Sequence, residues 1–382
     1  MKTLIKNARI HDSIHREPFD ADILIEDGKI SRIASGIDYP GAEVLDALGM
    51  DAYAGFIDAH SHLGLAGYGI GYEGTDYNEM NDIVTPHLRG IDGFKPMQPS
   101  LEHASRAGVT TVCVGPGSAN VLGGTFFAVK TVGRCVDDMI VKDPIAMKCA
   151  FGENPKRCYR DKCDSSRMTT AAKLREMLFK AREYEHKIVA AGDDESKKPA
   201  FDMKLEALRP VIRGELPLKA HAHATEDIFT AIRIAKEFGV KLTLEHVTEG
   251  HLIVEELAKA GYPCAVGPSL GDASKWELRN MSFTTPGILA RAGIQVSIIT
   301  DADVIPQEYL PLCAGLAVKS GMDPFDALQA ITINPAKHAG IADRVGSLEV
   351  GKDADIVIAN GSPFEVSTNV CAVFVNGCNI LK

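Results

Sequence analysis

The chain has 382 residues, 45% of them hydrophobic and 24% charged, the balance of a globular protein with one large domain and a smaller companion. Its net charge of −10 argues against nucleic acid or an anionic membrane as the main partner, and no apolar run approaches the roughly 20 residues that span a bilayer. Nine cysteines scattered without metal-finger spacing, and an N-terminus (Met1 to Arg9) without signal-peptide architecture, predict a reduced, cytoplasmic protein. Cys158 and Cys163 lie close in sequence but lack a second pair, so they read as ordinary thiols.

Residues 1–52 read as short strands joined by tight turns. Leu4–Ile10 alternates, and Ala21–Glu26 and Lys29–Ile33 flank Asp27-Gly28, a strong hairpin signal. Gly346–Lys352, Ala354–Ile358 and Val370–Gly377 repeat that texture, so residues 1–52 and 343–382 are expected to form one small β-sandwich domain from both termini. Between them, residues 53–342 alternate apolar strands with amphipathic helices, the α/β pattern of a (β/α)8 TIM barrel. Strands are predicted at Tyr53–Ile57, Gly108–Val114, Ile145–Cys149, Leu218–Ala222, Lys241–Glu245, Pro263–Val266 and Gln295–Thr300. Helices are predicted at Gln98–Arg106, Ala171–Tyr184, Thr225–Phe238, Ile253–Ala260, Thr285–Ala292 and Asp323–Ile331. The stretch Gly152–Phe201 exceeds an ordinary loop and reads as an elaboration, part helix and part solvated linker around the charged run Asp193–Lys198.

The chemistry gathers at strand ends. In Gly55-Phe56-Ile57-Asp58-Ala59-His60-Ser61-His62, alternate residues of a strand share a face, so His60 and His62 project together as two metal ligands would. Further candidates are Lys148 inside an apolar run, His221 and His223, His246, and Asp301. One strand-end histidine is ordinarily a hydrogen-bonded core residue. Five histidines and an aspartate at successive strand ends point to a metal centre.

Gly-Phe-Ile-Asp-Ala-His60-Ser-His62, followed in order by His221, His246 and Asp301, resembles the amidohydrolase superfamily, as does the closing segment Gly346–Ile356. The texture is nearest the branch of imidazolonepropionases and metal-dependent Xaa-Pro or Xaa-Arg dipeptidases. The resemblance implies that His60 and His62 hold the more buried metal, with Asp301 as ligand and general acid or base. It further implies that Lys148, carboxylated by carbon dioxide, bridges to a second metal on His221 and His246. The plain alternative for Lys148 is an ion-paired or snorkelling side chain. His221 and His223 compete for one ligand role; the resemblance favours His221 and leaves His223 to contact substrate. Asp301, His223 and His246 are thus the candidate catalytic residues. The metal expected is zinc, two ions per chain, with one ion as the alternative.

Asn120, Gly123 and Gly124, in a glycine-rich stretch after an apolar strand, are candidate substrate contacts, together with His223 and Asp303. A structural turn explains that stretch equally well. The run Gly67–Gly74 sits where a lid would be, or forms a solvated surface. Related sequences often carry a histidine after the last-strand aspartate; here Asp301-Ala302-Asp303 stands instead. The expected activity is hydrolysis of a C–N bond in a small amide, cyclic amide or dipeptide through a metal-activated hydroxide. Its alternatives are a mononuclear deaminase of a nitrogen heterocycle and a non-catalytic scaffold of the same fold. Homo-oligomerisation stays open.

Overall fold

A computed structural model describes residues 2–69, 71–162 and 165–381. Met1, Ile70, Cys163, Asp164 and Lys382 lie outside them, so of the two neighbouring thiols only Cys158 is described, and the run 67–74 lacks its central residue.

Two sheets organise the chain. The first takes β1 (Lys2–His11), β2 (Phe19–Glu26), β3 (Lys29–Ala34), β4 (Glu43–Asp46) and β5 (Asp51–Ala54) from the N-terminal side. The second is the barrel: β6 (Phe56–Ser61), β7 (Val109–Val114), β8 (Leu122–Lys130), β9 (Ile140–Ala150), β10 (Leu218–Ala222), β11 (Leu242–His246), β12 (Cys264–Val266) and β13 (Val296–Ile298). Then β14 (Ile356–Ala359), β15 (Val370–Val375) and β16 (Cys378–Asn379) return to the first sheet, where β14 pairs antiparallel with β5. The far ends of the chain thus meet in one sheet. It folds over its own apolar core, including Ile5, Ile23, Ile25, Ala52, Ile356 and Phe374.

The strand expected at Tyr53–Ile57 is two strands of different sheets. The break falls at Gly55, where a β-carbon would lie 2.1 Å from Thr110 Oγ1, so only glycine lets the chain pass. The barrel departs from an all-parallel (β/α)8 unit at β8, which runs antiparallel to both β7 and β9. The seven residues between β7 and β8 are too few for a crossover helix, which needs about a dozen. The sequence does not read as a strand there, because Gly123 and Gly124 dilute the apolar run. Strand order from β6 to β13 follows the chain. The ring is nearly closed: Ala302 O accepts from His62 N, and Asp58 Oδ2 accepts from Thr300 N and Thr300 Oγ1.

The helices are α1 (Pro99–Arg106), the single turn α2 (Val136–Met139), α3 (Glu153–Cys158), α4 (Arg167–Ala191), α5 (Met203–Ile212), α6 (Thr225–Phe238), α7 (Val254–Ala260), α8 (Thr285–Arg291), α9 (Leu310–Lys319), α10 (Pro324–Ala330) and α11 (Ile333–Ala339). In α6 the buried residues Ile228, Ala231, Ile232 and Ala235 form one stripe, and Gly239 ends the helix with φ 68°. Burying each isoleucine stabilises by about 1.5–3 kcal/mol. The linker-like insertion is largely helical, with α3 and then α4, which runs 25 residues from a Ser166 cap; α5 follows just after it from an Asp202 cap. Pro210 in the last turn of α5 hid that helix from its sequence pattern. No helix among the described residues is long and apolar enough to cross a membrane.

Candidate metal centre

The C-terminal ends of the barrel strands bring two groups of ligand atoms together. His60, His62 and Asp301 form one; His221, His223 and His246 form the other, with ligand atoms in each group within 4.8 Å of one another. The His60 and His246 rings lie 5.0 Å apart and the His221 and His246 rings 4.3 Å, so the groups adjoin. Lys148 enters from β9, fully buried, with Nζ 3.1 Å from His60 Nε2.

Each imidazole is held by its outward nitrogen. His60 Nδ1 lies 3.0 Å from Glu245 Oε2, His62 Nδ1 2.8 Å from Gly115 O, His221 Nδ1 2.9 Å from Ser118 Oγ, and His246 Nδ1 2.8 Å from Gly267 O. A carboxylate, a hydroxyl or a carbonyl at Nδ1 leaves Nε2 as the lone-pair donor facing inward. Nε2 of His221, Nε2 of His246 and Oδ1 of Asp301 are buried without a hydrogen-bond partner. Leaving such atoms unsatisfied costs about 1–3 kcal/mol each, and a cation removes that cost. The donor set therefore fits divalent metal. His223 has Nδ1 2.7 Å from Thr248 Oγ1 and Nε2 3.2 Å from Lys275 Nζ, as His60 has its Nε2 against Lys148 Nζ, whereas Nε2 of His221 has no such partner.

Electrostatics agree with that fit. Burial, with Lys148 nearby, holds His60 well below the usual imidazole range, and burial brings His246 down to about 4, so both present neutral nitrogens. Burial lowers the Lys148 ammonium to about 8. Burial opposes ionisation of Asp301, but His246 and His62 outweigh it and hold the carboxyl well below the carboxylate range.

Backbone strain collects at the same place. His246 has φ 73° and Asp301 φ 52°, left-handed values that non-glycine residues seldom adopt. At His246 the twist breaks the alternation of β11. Glu245 and His246 are adjacent, yet both reach His60, one by hydrogen bond and one ring against ring.

Of the expected substrate contacts, Asp303 and His223 line one cavity of about 230 Å³ with His62, His221 and Asp301. Asn120 and Gly123 instead line a neighbouring cavity of about 400 Å³ across Tyr77. Asn120 is tied into the fold, donating to Thr85 Oγ1 at 2.7 Å and accepting from the Tyr159 hydroxyl at 2.6 Å. Gly124 lies in β8 with φ 116°, and a β-carbon there would meet Leu88 O at 2.4 Å.

Several contributors escaped sequence analysis. Glu245 accepts from Lys219 Nζ at 2.8 Å, lies 2.9 Å from His338 Nε2, and accepts from Thr243 Oγ1 at 2.6 Å, all buried beneath His60. Burial pushes the Glu245 carboxyl up, but Lys219, His338 and His60 together hold it well below its usual range. A charged residue inside a strand expected to be buried was the available signal, and Lys219 and Glu245 both carry it. Tyr77, in a stretch that reads equally as solvated surface, stacks on His62 at 5.0 Å between ring centroids.

The crystal structure of an amidohydrolase from Thermotoga maritima MSB8 superposes with a TM-score of 0.95 at 40% identity, covering 99% of both chains. The amidohydrolase tasK of Hapsidospora irregularis is 28% identical over 93% of this chain, which spans only 39% of that relative. An imidazolonepropionase of Symbiobacterium thermophilum is 27% identical over 87% of this chain and 80% of its own. The profile of the amidohydrolase family matches residues 52–379, the barrel and the returning strands of the terminal sheet, and the chain belongs to that family.

Proposed function

We propose that the chain is a metal-dependent hydrolase that cleaves the C–N bond of a small amide, cyclic amide or dipeptide. The observation that carries this reading is the convergence at the barrel mouth of Nε2 of His221, Nε2 of His246 and Oδ1 of Asp301, all buried without a hydrogen-bond partner, beside His60 and His62, while the Nδ1 of all four imidazoles is fixed from behind. In this reading His60, His62 and Asp301 hold one zinc ion and His221 and His246 a second, with Lys148, as its carbon dioxide adduct, between them. The free Nε2 of His221, against the engaged Nε2 of His223, supports that choice of ligand.

A divalent ion supplies Lewis acidity toward a carbonyl and brings the pKa of a bound water toward neutrality. The chain's own residues do the rest. Asp301, kept ionised, accepts a proton on its carboxylate and returns it to the leaving nitrogen. His223, backed by Thr248, and Asp303 face the same cavity and orient the substrate. The buried thiols Cys113, Cys149 and Cys264, all unbridged, support a cytoplasmic setting.

The test is metal content per chain on protein purified without chelator, beside Lys148→Ala. The expected result is two ions, falling to one or none in the variant. One ion in both proteins would overturn the bridge and favour a mononuclear deaminase.

A further inference from the structure

A cluster of cations lies beside the metal centre. The protein as a whole is acidic, with a net charge of −10. Beside the small cavity that holds His62, His221 and Asp301 lies a groove of about 570 Å³ lined by Lys156, Arg157, Arg160 and Arg167, with Glu153 the sole acid among its lining residues. Arg157 lines both the groove and the small cavity, so the two adjoin at this residue.

These cations are not explained by internal pairing. Arg167 is taken by Asp227, with Nε 3.0 Å from the carboxylate. The side chains of Lys156, Arg157 and Arg160 make no ion pair or hydrogen bond among the described residues. The segment that presents them is nevertheless anchored. Glu153 N donates to Glu277 Oε2 at 2.9 Å, and Glu277 N donates back to Glu153 Oε1 at 2.9 Å. Lys275 Nζ donates to Asn154 Oδ1 at 3.0 Å and to Glu277 Oε1 at 2.8 Å. The start of α3 is therefore bound to the Lys275–Glu277 loop, which touches His223. A planar guanidinium on a fixed support, without an internal partner, is built to take a carboxylate through two hydrogen bonds.

We infer that the substrate is an anion, an N-acyl amino acid or short peptide whose free carboxylate is held by Arg157 while its C–N bond lies over the metal centre. This rests on the C–N hydrolase reading above. Lys156 and Arg160 continue the positive surface outward, so further acidic residues on the same side of the substrate are favoured over neutral ones.

Trp276, the one tryptophan of the chain, lines this groove and is 71% exposed, so its emission reports groove occupancy independently of turnover. The experiment compares N-acetyl amino acids and dipeptides with their carboxamides on the metal-loaded enzyme, in wild type, Arg157→Gln and Arg157→Lys. Wild type is expected to favour the acid at least about tenfold in kcat/KM, through KM. That preference should fall to near one in Arg157→Gln and be partly kept in Arg157→Lys. Equal use of acid and amide by wild type, or a preference that survives Arg157→Gln, overturns the inference. Absence of any hydrolysis counts against the C–N reading instead, and Trp276 titration then decides the anion site. Acids perturbing emission at concentrations at least about tenfold below their amides, with the difference lost in Arg157→Gln, support it; no difference overturns it.

Discussion

His60 is the most constrained donor of the centre, because the carboxylate behind it is itself fixed from three sides. Glu245 gains Lys219, His338 and Thr243 as partners and offers Oε2 to His60 Nδ1. Such outer partners set the tautomer and aim of a ligating imidazole, and their loss typically lowers metal affinity or activity about 10–100-fold. Glu245→Gln keeps the shape but weakens the acceptor. It should loosen metal by about that factor in a chelator competition, and it should also lower the melting temperature of the metal-free protein, because buried Lys219 loses its counter-charge; unchanged metal affinity would remove Glu245 from this positioning role. His60 and His62 were readable from their two-residue spacing on a strand. Glu245 was not, because strand alternation puts it on the face opposite His246, and only the left-handed backbone at His246 brings both inward.

At the level of elements, two features set the site's surroundings. The turn at Gly55 hands the chain from β5 of the terminal sheet to β6 of the barrel, so the strand bearing His60 is anchored at its start by the other sheet. The insertion after β9 is the second, since α4 docks on α6 through Arg167 and Asp227. Burial raises the Asp227 carboxyl to about 6, against the pull of Arg167. An unfolded aspartate titrates near 3.9, so between about pH 4 and 6 the folded chain keeps a proton that the unfolded chain has released. Stability from this group therefore falls as pH rises through that window. Asp227→Asn removes the fall, so melting temperature of variant minus wild type should climb from about pH 4 to 6 and level off above. A flat difference across the window would show that Asp227 is not the source.

The molecule as a whole is closed by a buried ionic clasp between the barrel and the terminal sheet. Lys130 at the end of β8 pairs with Asp355 and lies 3.1 Å from Asp353, which also binds Lys29 and Arg344. Removing one partner of a buried pair leaves charge unmatched, typically at a cost of about 3–5 kcal/mol. Lys130→Ala should lose about that much in urea unfolding, and a loss under about 1 kcal/mol would mean that the clasp is relaxed by water. What the sequence by itself determined was the periodic part of this protein: buried strands with polar ends, the amphipathic helices, and the histidines, lysine and aspartate at successive strand ends. Those signals are local, carried by spacing along a few residues. The tertiary structure alone decided the antiparallel course of β8, the hand-over at Gly55, the support beneath His60 and the placing of Arg157 beside the metal centre. Each of these depends on residues far apart in the chain becoming neighbours, and no local period records such a meeting.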